Sequence, residues 1–204
     1  MRWEVCDNDL WIGARPIAGQ SDVSLYLSDE LRGRFVRAVA VVPATRQDFF
    51  AGQEVVSDGF VVGDFPASFD QWRLHRFSSV SLQSDDPAAS DPDGDGLSNL
   101  AEYAFGTDPL SADPPPGTAS LDYDDDGQPI VRLQYVAMKG RQDVTIEVET
   151  SPDLLNWTTE TTAPEILRQA QWSAQFSYRL PTTDSARFWR LQVRRTSSFG
   201  IGSQ

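Results

Sequence analysis

Apolar and polar positions alternate through most of this chain, and that period of two predicts a mainly β protein. In the last third Val131, Leu133 and Tyr135 alternate with polar neighbours, as do Val144, Ile146 and Val148. The pattern returns at Trp172, Ala174, Phe176, Tyr178 and Leu180, and again at Trp189, Leu191 and Val193. Short strands separated by turn residues predict antiparallel sheets, each with one wet face, in a β-sandwich or, as second choice, a barrel. Nearer the N-terminus, Val23, Leu25 and Leu27 alternate within 22–27, and Phe35 to Val42 is a longer apolar run expected to be a more buried strand. Val55 to Val62 has the form of a hairpin turning at Asp58-Gly59.

Two stretches leave that period. Ser68-Phe-Asp-Gln-Trp72-Arg-Leu74-His-Arg-Phe77 offers a serine N-cap and apolar residues on one helical face. Leu97 to Phe105 predicts a second short helix, with Leu97, Leu100, Ala101, Ala104 and Phe105 as its buried stripe and Gly106 as its C-cap. Pro114-Pro-Pro-Gly117 is a stiff spacer. The expected organisation is a β region over 1–66, a helix followed by a loop-helix connector over 67–113, and a β-sandwich-like module over 114–198.

Charge changes the picture in the connector. The 204-residue chain has a formal net charge of -13, distributed very unevenly. Between Phe77 and Val131 there is no Lys or Arg, while Asp85, Asp86, Asp91, Asp93, Asp95, Glu102, Asp108, Asp113, Asp122, Asp124, Asp125 and Asp126 all fall there. Such self-repulsion disfavours a compact connector unless cations offset it. It also argues against nucleic acid or an anionic membrane as a partner, because both require basic patches. No run of about 18 apolar residues exists to insert into a membrane. The single cysteine, Cys6, excludes an intrachain disulfide framework and reads as an ordinary unpaired thiol. His75 is the only histidine, and the sequence nominates no nucleophile or carboxylate to work with it, so no catalytic residues are expected. Of the six tryptophans, Trp172 and Trp189 fit core positions of strands, whereas Trp3 and Trp11 are open to either a core or a sugar-stacking role.

The chemistry concentrates in Asp91-Pro-Asp93-Gly-Asp95-Gly96-Leu97-Ser-Asn99-Leu-Ala-Glu102. A calcium ion takes six to eight hard oxygen ligands, so alternate residues of a tightly curled chain must point inward. Asp91, Asp93 and Asp95 stand at positions 1, 3 and 5, Gly96 permits the sharp turn at 6, and the Leu97 carbonyl can serve at 7. Asn99 at 9 can act directly or through water, and Glu102 at 12 can close the shell with two oxygens. The helix that would have to precede a full helix–loop–helix ends more than a dozen residues upstream, so the unit is a loop followed by a helix. Asp122-Tyr-Asp124-Asp125-Asp126-Gly127 imitates the start of a second loop, but its twelfth position is Leu133. A hairpin turn between Leu121–Tyr123 and Ile130–Val131 is the favoured reading there.

The match continues past the ligand positions through Tyr103-Ala-Phe-Gly106-Thr107-Asp108-Pro109-Leu-Ser-Ala-Asp113. The whole run resembles the bacterial calcium repeats related to thrombospondin type 3, which occur in large exported and surface proteins. The resemblance implies calcium ligands at Asp91, Asp93, Asp95, Leu97, Asn99 and Glu102. It also places Asp108 and Asp113 where tandem repeats share ions, although Pro114-Pro-Pro interrupts the series after one repeat. The segment before the loop resembles the helical lead-in of such repeats, and Asp143 to Trp157 with Ala186 to Val193 resemble the β module that often follows them. The likeness spans roughly residues 69–195, while 1–66 resembles no family.

These observations lead to an expected role as a non-catalytic, calcium-binding structural or adhesion module of an exported or cell-surface protein, Ca²⁺ rigidifying the connector between β regions. Its partners would be calcium and a surface protein or polysaccharide. The N-terminus has no apolar leader, which is consistent with a C-terminal piece of a longer exported protein or, as the alternative, with a cytoplasmic protein whose calcium site is tighter. A carbohydrate- or protein-binding appendage of an extracellular enzyme is the alternative, and a small enzyme using 1–66 the third.

Overall fold

The computed structural model describes residues 1–20, 24–41, 53–77, 86–182 and 188–196. It is mainly β, with antiparallel pairing throughout. In the N-terminal region β1 (Arg2–Cys6) pairs with β2 (Arg15–Pro16) and with the central β3 (Phe35–Val41). Phe35, Val36 and Val39 are buried because β3 is flanked on both sides and packs Val36 against Val5 and Leu31, whereas Val41 at its end is exposed. The expected hairpin at Asp58-Gly59 is not one. β4 (Glu54–Val56) and β5 (Phe60–Val61) do not pair with each other, and both lie antiparallel along β3 with the register displaced by one residue between them. Ser57 bridges the bulge, its N–H donating to the Ala38 carbonyl and its hydroxyl accepting from the Ala38 N–H, each at 2.9 Å. The strand expected over 22–27 falls only partly on described residues. Residues 22 and 23, with Val23, lie outside the described residues, and 24–27 have no strand pairing although Leu25 packs on the N-terminal core.

Both helices form. α1 (Phe69–Arg76) starts at Ser68, whose hydroxyl accepts from the Gln71 N–H. α2 (Asn99–Phe105) starts at the N-cap Ser98 and ends at Gly106 in the left-handed region, φ 73°. Its buried face is shifted from the expected stripe: Tyr103, Ala104 and Phe105 are inside, together with Asn99 and Glu102. Gly106 has a second constraint. A Cβ there would sit 2.6 Å from Met138 Sδ and 3.0 Å from the Asp7 carbonyl, so the helix end is clamped between the N-terminal and C-terminal β regions.

After the prolines, β6 (Gly117–Tyr123), β7 (Pro129–Met138), β11 (Ser173–Pro181) and β10 (Glu165–Gln169) make a four-stranded sheet in the order β10-β11-β7-β6. β12 (Phe188–Arg195), β8 (Val144–Ser151) and β9 (Thr158–Thr159) make a three-stranded one. The two share a core in which Leu133, Tyr135, Phe176, Tyr178 and Leu180 from one meet Ile146, Val148, Trp189, Leu191 and Val193 from the other. Phe105 and Ala101 of α2 close its side. A smaller aromatic cluster, Phe69, Trp72 and Tyr103, joins the two helices. Asp143, between β7 and β8, ties it down by accepting from the Tyr103 hydroxyl and the Phe69 N–H, both at 2.8 Å. Truncating Trp72 would open a void costing about 3–5 kcal/mol.

Candidate metal centre

The loop before α2 is curled by its own aspartates. Asp91 accepts from the N–H of Gly94 at 2.9 Å and of Gly96 at 3.0 Å. Asp93 accepts from Asp95 N–H at 3.1 Å, and Asp95 from Leu97 N–H at 2.8 Å. Gly94 (φ 77°) and Gly96 (φ 93°) supply the left-handed turns, with open space around both, so conformation and not crowding selects glycine there. The outcome is that carboxylate oxygens of Asp91, Asp93 and Asp95 lie within 4.8 Å of one another.

The base of the loop is stapled to the helix start. Asn99 N–H donates to the Ser90 carbonyl at 2.8 Å and Leu100 N–H to the Ala88 carbonyl at 3.1 Å. Asn99 and Glu102 are three residues apart and so share one helix face, and helical side chains lean towards the N-terminus, here towards the loop. Asn99 donates from Nδ2 to the Pro87 carbonyl at 2.8 Å, which leaves its Oδ1 buried without a partner. Glu102 is 0 % exposed, and neither of its oxygens has a partner. Asp93 Oδ2 is likewise buried and unpartnered.

Electrostatics make the same point. Burial, reinforced by Asp93, Asp95, Asp108 and Asp91, pushes the Glu102 carboxyl up to about 9. Burial, with Asp95 and Asp91, also raises Asp93. An unpaired buried carboxylate facing three more carboxylates costs several kcal/mol, and either a proton or a cation removes that cost. All side-chain donors are hard oxygens, with no His or Cys, which fits Ca²⁺ or Mg²⁺ and not Zn²⁺. Position 7 would contribute only the backbone carbonyl of Leu97, whose N–H already closes on Asp95.

Asp108 and Asp113, placed by the resemblance where repeats share ions, face arginines instead. Asp108 accepts from Arg15 at 2.5 Å and Arg34 at 3.0 Å, and Asp113 accepts from Arg15 at 3.3 Å. Burial opposes ionisation of Asp108, but Arg34, Arg15 and Arg76 outweigh it and hold its pKa below the usual value. The chain of contacts runs on. Asp113 N–H donates to Asp95 Oδ2 at 3.0 Å, and Asp113 Oδ2 accepts from Asp108 N–H at 2.9 Å. Arg34 then reaches Asp7 at 2.8 Å, and Asp7 also takes Arg76 of α1. This relay from loop to N-terminal sheet was not visible in the sequence, because its arginine–carboxylate links join residues 27 to 98 positions apart.

The second acidic run is a hairpin turn joining β6 and β7. Asp124 Oδ1 accepts from Asp126 N–H at 3.0 Å and Gln128 N–H at 2.7 Å, and Gly127 takes φ 75°. Asp122 pairs with Arg132, and Leu133 lies in the core. His75 sits half-buried on α1, with Arg32 and Arg76 close enough to lower its pKa further than burial alone.

Comparisons of the chain with protein-family models, with curated proteins and with solved structures give no match.

Proposed function

We propose that this chain is a non-catalytic calcium-binding structural or adhesion module of an exported or cell-surface protein. Asp91, Asp93, Asp95, Asn99, Glu102 and the Leu97 carbonyl are the ligands, and the ion rigidifies the connector between the β regions. The observation that carries this is Glu102: a fully buried carboxyl with two unpartnered oxygens, whose ionisation is opposed by the charges of Asp93, Asp95 and Asp91. The relay from Asp95 through Asp113 and Asp108 to Arg15, Arg34 and Asp7 supports the rigidifying role, since it links the loop to the N-terminal sheet. Among the described residues no helix is long and apolar enough to cross a membrane.

The test is calorimetric titration of EDTA-stripped protein with calcium, for the natural chain and Glu102→Gln. One site in the natural chain and none, or one weakened at least about a hundredfold, in the variant is the expected result. No heat and no melting shift up to millimolar calcium in the natural chain would overturn the proposal.

A further inference from the structure

The seam between the two β regions holds a cleft that the calcium account does not use. It has a volume of roughly 370 Å³, within the roughly 300–1,000 Å³ range of small-molecule sites. Its lining comes from four separate pieces of chain: Asp9 and Trp11 after β1, Phe35 at the start of β3, Asp58 to Val61 at the bulge, and Gln171 and Trp172 before β11.

The walls are fixed. Asp9 accepts from Trp172 N–H at 2.8 Å and from the Ser173 hydroxyl at 2.5 Å, locking the β10–β11 turn against the N-terminal sheet. Trp11 is held at φ 61°, a conformation bulky residues seldom adopt. Asn8 enforces it, with Oδ1 accepting from Ile12 N–H at 3.2 Å and Nδ2 donating to the Ile12 carbonyl at 2.9 Å. The Trp11 indole lies against Gly59, where a Cβ would come within 2.1 Å of Cζ2, and Arg37 covers the ring at 4.3 Å. A strained backbone that places an aromatic side chain at a cleft wall is the kind of outlier found at binding sites.

Trp172 is the ring left available. Phe65 stacks on one of its faces at 4.5 Å, and Trp172 also lines the cleft, which leaves its other face and its edge for a ligand. Phe60 stands at the rim, 46 % exposed. Asp58 and Gln171 are exposed beside these rings, and among the described residues neither side-chain head group has a hydrogen bond. Among the described residues no Lys or Arg lines the cleft, which disfavours an anionic ligand. One free tryptophan face with a phenyl rim is a platform and not an enclosing cage, which disfavours a quaternary cation. A platform flanked by a carboxylate and an amide suits a flat, neutral ring whose C–H face is apolar and whose edge carries hydroxyls.

We propose that this cleft binds a pyranose unit of a neutral polysaccharide, stacked on Trp172 against Phe60, with Asp58 and Gln171 engaging its hydroxyls. This gives the adhesion role a partner class and rests on the seam, not on the ion.

The experiment is calorimetric titration of the full chain with cellotetraose and chitotetraose, in calcium and in EDTA, with tetramethylammonium as the rival ligand. Saturable binding of either oligosaccharide is expected. Asp58→Ala or Gln171→Ala should weaken it about tenfold, and Trp172→Ala should abolish it while Trp172→Phe retains part. The rim variants carry the test if Trp172→Ala fails to fold, since both residues are exposed. No saturable binding of either sugar, sugar binding unchanged by the Asp58→Ala/Gln171→Ala double variant, or binding of tetramethylammonium alone would each overturn the proposal. Sugar binding in a protein that takes up no calcium supports the cleft and counts only against the calcium account.

Discussion

Two acidic loops in this chain begin alike and end differently. Asp91-Pro-Asp93-Gly-Asp95-Gly96 and Asp122-Tyr-Asp124-Asp125-Asp126-Gly127 both curl by aspartates accepting from backbone N–H groups. In the second, Asp124 is consumed by the turn, Asp122 by Arg132, and the twelfth residue is Leu133 in the core. In the first, a buried Glu102 with two unpartnered oxygens faces the loop. Local carboxylate density therefore does not distinguish an ion site from a hairpin turn. What distinguishes them is whether the twelfth position supplies a buried carboxylate that no other described group satisfies.

The largest expected effect comes from forcing the hairpin to imitate the loop. Leu133→Glu places an unpaired carboxylate in the shared core, and urea denaturation should show a loss of several kcal/mol with no second calcium site gained. Next comes calcium itself. At a concentration 100 times Kd, binding adds about 2.7 kcal/mol, so the natural chain should melt about 5–10 °C higher in calcium than in EDTA. Glu102→Gln should lose that increment and, in EDTA, melt no lower than the natural chain, because it removes a buried carboxyl that has no partner.

The pH response of the calcium-free protein should run against the usual acid profile. Glu102 has its folded pKa raised from 4.5 to about 9, so between these values the folded state holds the proton that the unfolded state releases. Its contribution to stability is present below pH 4.5 and is lost as pH rises through 9. Melting of the EDTA-treated chain across that window should show this decline, and saturating calcium should remove it, since ligand carboxylates are ionised. A smaller effect is expected at Asp113→Ala, which cuts the relay between Asp95 and Arg15. About 1–3 kcal/mol of stability should be lost, with calcium affinity reduced only modestly. Smallest of all, Asp125→Asn and Asp126→Asn in the hairpin should change melting by less than about 0.5 kcal/mol and leave the calcium titration unaltered.

Much of the fold was legible because its cause is local. The alternation at 131–135, 144–148, 172–180 and 189–193 reappears as β7, β8, β11 and β12, and Ser68, Ser98 and Gly106 cap the helices where their chemistry requires. The misses are non-local. Asp58-Gly59 carries a hairpin signal, but β3 offers a longer edge along which both flanking strands pair, so the turn becomes a bulge. Trp172 fits a strand-core pattern, yet it sits just before β11, stacked on Phe65 at the seam. In the candidate metal centre, the converging aspartates followed from spacing, whereas the spacing carried no sign that Glu102 is fully buried without a partner. The Asp7–Arg34–Asp108–Arg15 network left no local signal, because charged residues far apart in sequence reveal their pairing only once the sheets are in place.

The measurement that bears most directly on the central claim is a crystal structure grown in calcium, with anomalous difference density collected at long wavelength. The account predicts one strong peak enclosed by Asp91, Asp93, Asp95, the Leu97 carbonyl, Asn99 and Glu102, at oxygen distances of roughly 2.3–2.6 Å, and none at Asp122–Asp126. Density that shows Glu102 without an ion at millimolar calcium, or an ion held without Glu102, would contradict it.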